Sequence, residues 1–150
     1  MKPTLLVLVA GMGSRYGGLK QLDAIGPGNE TIMDYFIFDA KRGGFGRKVF
    51  IIRGYFQEDF RLVFADRFGH DITIDFVSQE LNKVPHWFSY SPERTKPWGT
   101  AHALMMGRYL INEPFTVINT DDFYGEDTFH VLADFLREIE GKSHECGMVG

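Results

Sequence analysis

Apolar residues fall along this chain in two rhythms, and the two alternate. From Thr4 to Val9 the run is continuously apolar and gives way to glycine, the pattern of a strand buried on both faces. Thr31 to Arg42 instead places Ile32, Tyr35, Phe36 and Asp39 at helical offsets and meets Gly43-Gly44 as a stop signal. Val49 to Ile52 predicts a second buried strand. Gln57 to Phe68, with Phe60, Val63, Phe64 and Phe68 on one side and Gly69 behind, predicts a helix. Ile72 to Val77 alternates Ile72, Ile74 and Phe76 with Thr73 and Asp75, a third strand with one wetter face.

Leu81 to Trp98 follows neither period and carries Pro85, Pro92, Pro97 and two tryptophans, so it predicts a long loop. Gly99 to Leu110 predicts a helix, Phe115 to Thr120 a fourth strand, and Asp127 to Ile139 a helix with Phe129, Leu132, Ala133, Leu136 and Ile139 on one face. Gly147 to Gly150 predicts the opening of a fifth strand. Strands alternating with helices imply βαβ units joined by right-handed crossovers. The expected fold class is therefore α/β, a Rossmann-like, mostly parallel sheet flanked by helices, incomplete at its C-terminal end. Residues 1–150 are expected to form a single nucleotide-binding domain with no internal repeat or linker.

Composition narrows the classes without naming one. At 150 residues, 44% apolar and 24% charged, the chain is ordinary globular material, neither disordered tail nor disulfide scaffold. Sixteen Lys+Arg against twenty Asp+Glu leave a net charge of −4, with no basic run beyond Lys41-Arg42. That gives no electrostatic footprint for nucleic acid or an anionic membrane. The apolar run at the N-terminus passes into Gly11-Met-Gly-Ser-Arg15 without a cleavage site, and nothing approaches the length of a membrane span. The one cysteine, Cys146, cannot form an internal disulfide, so a cytoplasmic setting is expected, with the thiol as a small buried hydrophobe on the last strand. Fourteen phenylalanines read as core. An unfinished sheet edge on so aromatic a chain is a route to self-association, so a homo-oligomer is an expectation.

In open parallel sheets ligands bind beyond the carboxyl ends of the strands, so the chemistry is sought there. After the first strand comes Ala10-Gly-Met-Gly-Ser-Arg-Tyr-Gly-Gly-Leu-Lys20. Glycines at a strand-to-helix turn expose N–H groups to a phosphate, and Arg15 and Lys20 add positive charge. A tight turn with two solvated cations is the equal alternative. The dinucleotide pattern G-x-G-x-x-G fails at Tyr16, although Arg53 after the second strand could serve an NADP 2′-phosphate; the Walker A pattern fails at Leu19.

After the fourth strand stands Asn119-Thr-Asp-Asp122. Carboxylates there suit Mg²⁺, and because strand side chains alternate only one of Asp121 and Asp122 is expected to be a ligand. The alternative is an Asp-rich turn. Gln79 after the third strand is either a base-reading amide or a polar loop residue, and Gly99-Thr100 either a close-approach site or a helix cap. Trp87 and Trp98 read first as pins for their loop and second as a lid. The histidines 70, 86, 102, 130 and 144 show no metal-ligand spacing; His102, beside Gly99-Thr100, is a candidate ligand contact.

Together, Leu8-Val-Ala-Gly-Met-Gly-Ser-Arg15 with Lys20, Gln79, Gly99-Thr-Ala101 and Asp121 resembles the nucleotidyltransferase superfamily, and most closely the sugar-1-phosphate nucleotidyltransferases of NDP-sugar synthesis. The resemblance implies that Ala10, Gly11, Met12, Gly13 and Ser14 wrap an NTP triphosphate. It implies that Arg15 holds the departing pyrophosphate and Lys20 neutralises the α-phosphate. Gln79, Gly99 and Thr100 would contact the base, and Asp121 would hold Mg²⁺. The partners so implied are an NTP and a phosphorylated small molecule. The five-residue step from Arg15 to Lys20 also resembles the cytidylyl- and guanylyltransferase branches, so base and acceptor stay open. That family places a second metal carboxylate far downstream, so this chain is expected to be the N-terminal portion of a longer catalytic domain. An NADP-dependent oxidoreductase and a non-catalytic nucleotide-binding regulator are the rival readings.

Overall fold

A computed structural model describes residues 1–9, 23–65, 67–68, 73–143 and 145–150. Its elements run β1 (Thr4–Leu8), α1 (Ile32–Gly43), β2 (Arg47–Ile52), a 3-10 turn (Gly54–Phe56), α2 (Gln57–Ala65), β3 (Thr73–Ser78), α3 (Thr100–Gly107), β4 (Phe115–Asn119) and α4 (Glu126–Glu138). The strands form one all-parallel sheet in the order β3-β2-β1-β4. The expected α/β class and parallel sheet are therefore those observed.

Alternation along the strands divides the core. Leu5, Val7 and Val9 of the β1 segment, Phe50 and Ile52 of β2 and Ile118 of β4 face one layer, filled by α1, α2 and α4. Its aromatic packing runs from Phe60 through Phe64 to Phe68, with Phe50 stacked on Phe64 and Phe76. Leu6, Leu8, Val49 and Ile51 face the other layer, where α3 contributes Ala103. Both faces of β1 and β2 are thus covered, which is why their sequences are continuous apolar runs.

Local signals set the helix bounds. Thr31 caps α1: its hydroxyl accepts the Asp34 N–H (3.3 Å) while the Asp34 carboxylate accepts the Thr31 N–H (2.6 Å), a capping box. Gly44, at φ 97°, ends the helix in the left-handed region that favours glycine. Gly43 lets α1 and α4 touch, since a Cβ there would lie 2.9 Å from the Phe129 backbone.

Three expectations are corrected. β2 begins two residues early, at Arg47, because Lys48 is buried despite its charge, its Nζ donating to the Phe45 carbonyl at 3.0 Å. α3 stops at Gly107, where the N–H groups of Leu110 and Ile111 turn back onto the Gly107 carbonyl. Residues 147–150 form no strand: this glycine-flanked stretch pairs with no neighbour, Met148 is exposed, and Cys146 is exposed rather than a buried hydrophobe. Smaller shifts affect the ends of the other elements; Phe68, expected inside α2, lies beyond its end yet still stacks on Phe64.

Candidate functional site

The strand order reverses at β1. β2 and β3 lie to one side and β4 to the other, so the crevice beyond the carboxyl ends of β1 and β4 is the place the topology offers a ligand. The register holds these ends level, with Leu8 opposite both Ile51 and Asn119, and Ile52 opposite Ser78. The ladder extends one step past the strands through Val9 N–H to the Ile51 carbonyl (2.9 Å) and Gln79 N–H to the Ile52 carbonyl (2.7 Å). Thr120 donates both its N–H and its hydroxyl to the Leu8 carbonyl, each at 3.3 Å. Gln79 and Asp121 therefore leave the same sheet edge, separated laterally by three strand spacings, roughly 14 Å. That span is on the scale of a nucleotide.

Ala10, Gly11, Met12, Gly13, Ser14, Arg15 and Lys20 lie outside the described residues. The other candidates fall into two clusters. In the first, the Gln79 side chain is buried beneath the loop that leads into α3. Its Nε2 donates to the Trp98 carbonyl at 3.1 Å and lies 3.2 Å from Nδ1 of His102. The His102 Nε2 reaches the Lys83 carbonyl at 2.7 Å. Trp98 pins the loop: its indole N–H donates to the Leu81 carbonyl at 3.0 Å, Phe88 and Tyr90 pack edge-on to it, and the Arg94 guanidinium stacks 3.8 Å above its ring. The tryptophans therefore separate, Trp98 as pin and Trp87 exposed at the surface. Gly99 caps α3 with no side-chain bond, and Thr100 opens the helix; both are exposed. A Cβ built on Gly99 would meet nothing within 4 Å, so the glycine leaves open space beside the Gln79 pocket.

The second cluster sorts the two aspartates. Asp122 is held in a turn, accepting from Asn119 Nδ2 and from the Tyr124 hydroxyl, each at 3.3 Å. Tyr124 in turn accepts the Asn119 N–H at 2.9 Å. Burial and the charges of Asp122 and Asp121 push the Tyr124 phenol up, so it stays a donor. Asp121 is exposed and makes no hydrogen bond or ion pair among the described residues. Its carboxylate is a free, hard oxygen donor of the kind Mg²⁺ takes, one or two to a site beside phosphate oxygens and water. Among the described residues no three His, Cys, Asp or Glu are gathered as a ready-made metal cage.

One feature had no sequence signal. Among the described residues the buried side-chain polar atoms without a partner are Ser78 Oγ, Gln79 Oε1 and Arg94 Nε, all at or beside the carboxyl end of β3. Such atoms cost about 1–3 kcal/mol each when left unmatched, so their gathering at one edge marks where a ligand would be rewarded. A cavity of about 790 Å³ lies instead along the outer edge of β4, between α4 and the C-terminal residues, and none of the candidate residues lines it. Arg53, after the second strand, donates to the Thr95 carbonyl at 3.1 Å. Among the described residues no helix is long and apolar enough to cross a membrane.

The α/β architecture, a four-stranded all-parallel sheet flanked by helices, is shared with solved structures. The chain resembles the crystal structure of Rv0371c from Mycobacterium tuberculosis H37Rv with a TM-score of 0.60 at 18% identity, over 89% of this chain and 60% of that one. It resembles a UDP-glucose pyrophosphorylase complexed with UDP-glucose with a TM-score of 0.57 at 20% identity, over 93% of this chain and 53% of that one. The chain thus spans somewhat over half the length of these structures, and at such identities the likeness is one of fold. No protein-family model and no curated protein matches it.

Proposed function

We propose that this chain carries the nucleotide-binding part of a Mg²⁺-dependent nucleotidyltransferase. It would transfer an NMP from an NTP to a phosphorylated small molecule, in first place a sugar 1-phosphate, with release of pyrophosphate. The observation that carries the reading is the shared sheet edge: an amide pocket with open space on one side of the strand-order reversal and, on the other, a carboxylate without a partner among the described residues.

In this reading the base lies against Gln79, Gly99 and Thr100, and the triphosphate crosses the carboxyl end of β1 toward Asp121. The loop of residues 10–14 wraps the phosphates, with Arg15 on the leaving pyrophosphate and Lys20 on the α-phosphate. Asp121 would hold Mg²⁺, whose charge would neutralise the phosphate oxygens when bound. An acceptor phosphate oxygen attacks the α-phosphorus in line, the bond from that phosphorus to the α–β bridging oxygen breaks, and pyrophosphate departs with the electron pair. Such a reaction asks the protein for positioning and charge compensation rather than a covalent nucleophile.

The test is a thermal-shift panel of ATP, CTP, GTP, UTP and dTTP, with and without Mg²⁺, on the wild-type chain and Asp121→Ala. A ligand at a hundredfold excess over its Kd stabilises the native state by about 2.7 kcal/mol, several degrees for a domain of this size. A Mg²⁺-dependent shift with one NTP, lost in Asp121→Ala, is expected. Pyrophosphate release with a sugar 1-phosphate then separates a transferase from a regulator that only binds. A panel without any NTP shift overturns the reading.

A further inference from the structure

The amide of Gln79 is fixed in one sense, and the residue that completes the fixing is His102. A carbonyl oxygen only accepts, so the group 3.1 Å from the Trp98 carbonyl is the Gln79 NH₂. The same rule places a proton on the His102 nitrogen that lies 2.7 Å from the Lys83 carbonyl, namely Nε2. The neutral imidazole then carries a lone pair on Nδ1, which accepts the second NH₂ proton of Gln79 at 3.2 Å. Both donors of the amide are spent on protein. Its Oε1, buried and unmatched, is left as the one free hydrogen-bonding atom of the side chain.

We propose that His102 is a positioning residue for base selection: by holding the Gln79 amide with Oε1 free, it makes that amide an acceptor-only reader of the ligand. This rests on the proposed nucleotide-binding function. An acceptor-only reader rewards a base whose central edge atom is a ring N–H, as in uracil, thymine or guanine. Contacted at that same ring position, cytosine and adenine set a lone pair against Oε1 and would have to shift to offer their exocyclic amines instead. Turning the amide over would admit them, but it would set Oε1 against the Trp98 carbonyl and the His102 lone pair together. Gly99, with no atom within 4 Å of where its Cβ would be, leaves room for a flat ring to enter.

Two measurements test this. The first needs no ligand: ¹⁵N shifts of the His102 ring are expected to show the proton on Nε2, and a proton on Nδ1 overturns the proposal. The second compares Kd values of UTP, dTTP, GTP, CTP and ATP for wild type, His102→Leu and His102→Gln. His102→Leu is expected to lower the preference for the favoured ring-N–H nucleotide over CTP roughly fivefold, the worth of one neutral hydrogen bond. His102→Gln, which can accept from Gln79 while donating to Lys83, is expected to restore it. A wild-type preference for CTP or ATP, or an unchanged ratio in His102→Leu, overturns the role of His102 and leaves the nucleotide-binding reading standing. A wild-type chain that binds no NTP overturns both.

Discussion

The two ends of the parallel sheet solve opposite problems. At the amino end polar groups are tied off. Arg47 bonds both Asp75 (2.6 Å) and the Leu110 carbonyl (2.6 Å), the Thr4 hydroxyl donates to Glu113, and Lys48 Nζ is spent on Phe45. Burial works against the charge on Glu113, yet the Thr4 hydroxyl and the Asn112 N–H hold its carboxyl below the usual range. At the carboxyl end, among the described residues, Ser78 Oγ and Gln79 Oε1 are buried and unmatched and Asp121 makes no hydrogen bond or ion pair. One end is closed by protein alone; the other leaves polar groups that the proposed function would match with a ligand. On the proposed reading the contrast teaches that unmatched polar groups point to the ligand edge better than charge does, for among the described residues the most deeply buried cation, Lys48, lies at the other end.

The largest test of that contrast is Asp121→Ala. Mg²⁺-dependent NTP affinity is expected to fall by about tenfold or more, the worth of one charge-assisted contact. Unfolding free energy should move by less than about 0.5 kcal/mol, since this is an exposed surface position. Equal losses in both would end the distinction between the two edges.

Lys48 tests the amino end. Burial, with Lys41 and Lys2 nearby, lowers its pKa from 10.5 to about 8. Between these values the unfolded chain binds more protons than the folded one, so wild-type stability is expected to rise as pH climbs from about 8 toward 10.5. Below pH 8 the full cost of the buried charge, up to roughly 3 kcal/mol, is present. Lys48→Met should be more stable than wild type at pH 7, with the gap closing near pH 10 in denaturant titrations. A gap independent of pH would contradict this.

Gly43→Ala comes next. Its Cβ would press on the Phe129 backbone, which cannot give as a flexible side chain would, so a loss of about 2 kcal/mol and several degrees in Tm is expected without a change in nucleotide preference. Gly99→Ala is the mirror case and the smallest. The added methyl enters open space, so the unliganded chain should lose no more than about 1 kcal/mol, the scale of a helix cap, while nucleotide affinity weakens severalfold. Unchanged affinity would mean that nothing approaches Gly99.

What the sequence displayed and what it hid follow the same division. Runs such as Leu5–Val9 and Val49–Ile52 announce strands because two covered faces leave no polar positions. Arg47 and Lys48 escaped because a strand's start carries charge when lysine is buried as a stem with its amine on a carbonyl. Residues 147–150 look like a strand by composition, but a strand exists only where a neighbour supplies its ladder. At the carboxyl end the phenol of Tyr124 takes the outward Asn119 N–H that a fifth strand would have used. The candidate chemistry is legible in the sequence only as residue types after strands, which singles out Gln79, Gly99, Thr100 and Asp121 as candidates. The division of labour between Asp121 and Asp122 came from the Tyr124 clasp, and the Gln79–His102 contact spans 23 residues that no local pattern couples.

The strand order also imposes a timetable on synthesis. β1 is made before the other three strands yet lies between β2 and β4, and all five of its residues are buried. Its register with β4 joins Leu8 to Asn119, so at a ribosomal rate of about 5–20 residues per second that flank stays open for on the order of ten seconds. During that interval a sticky apolar ribbon, paired on one side by β2, waits in the crowded cell. Parallel pairing at such sequence separation is inherently slow, so the β4 flank of β1 is the last part of the sheet to close.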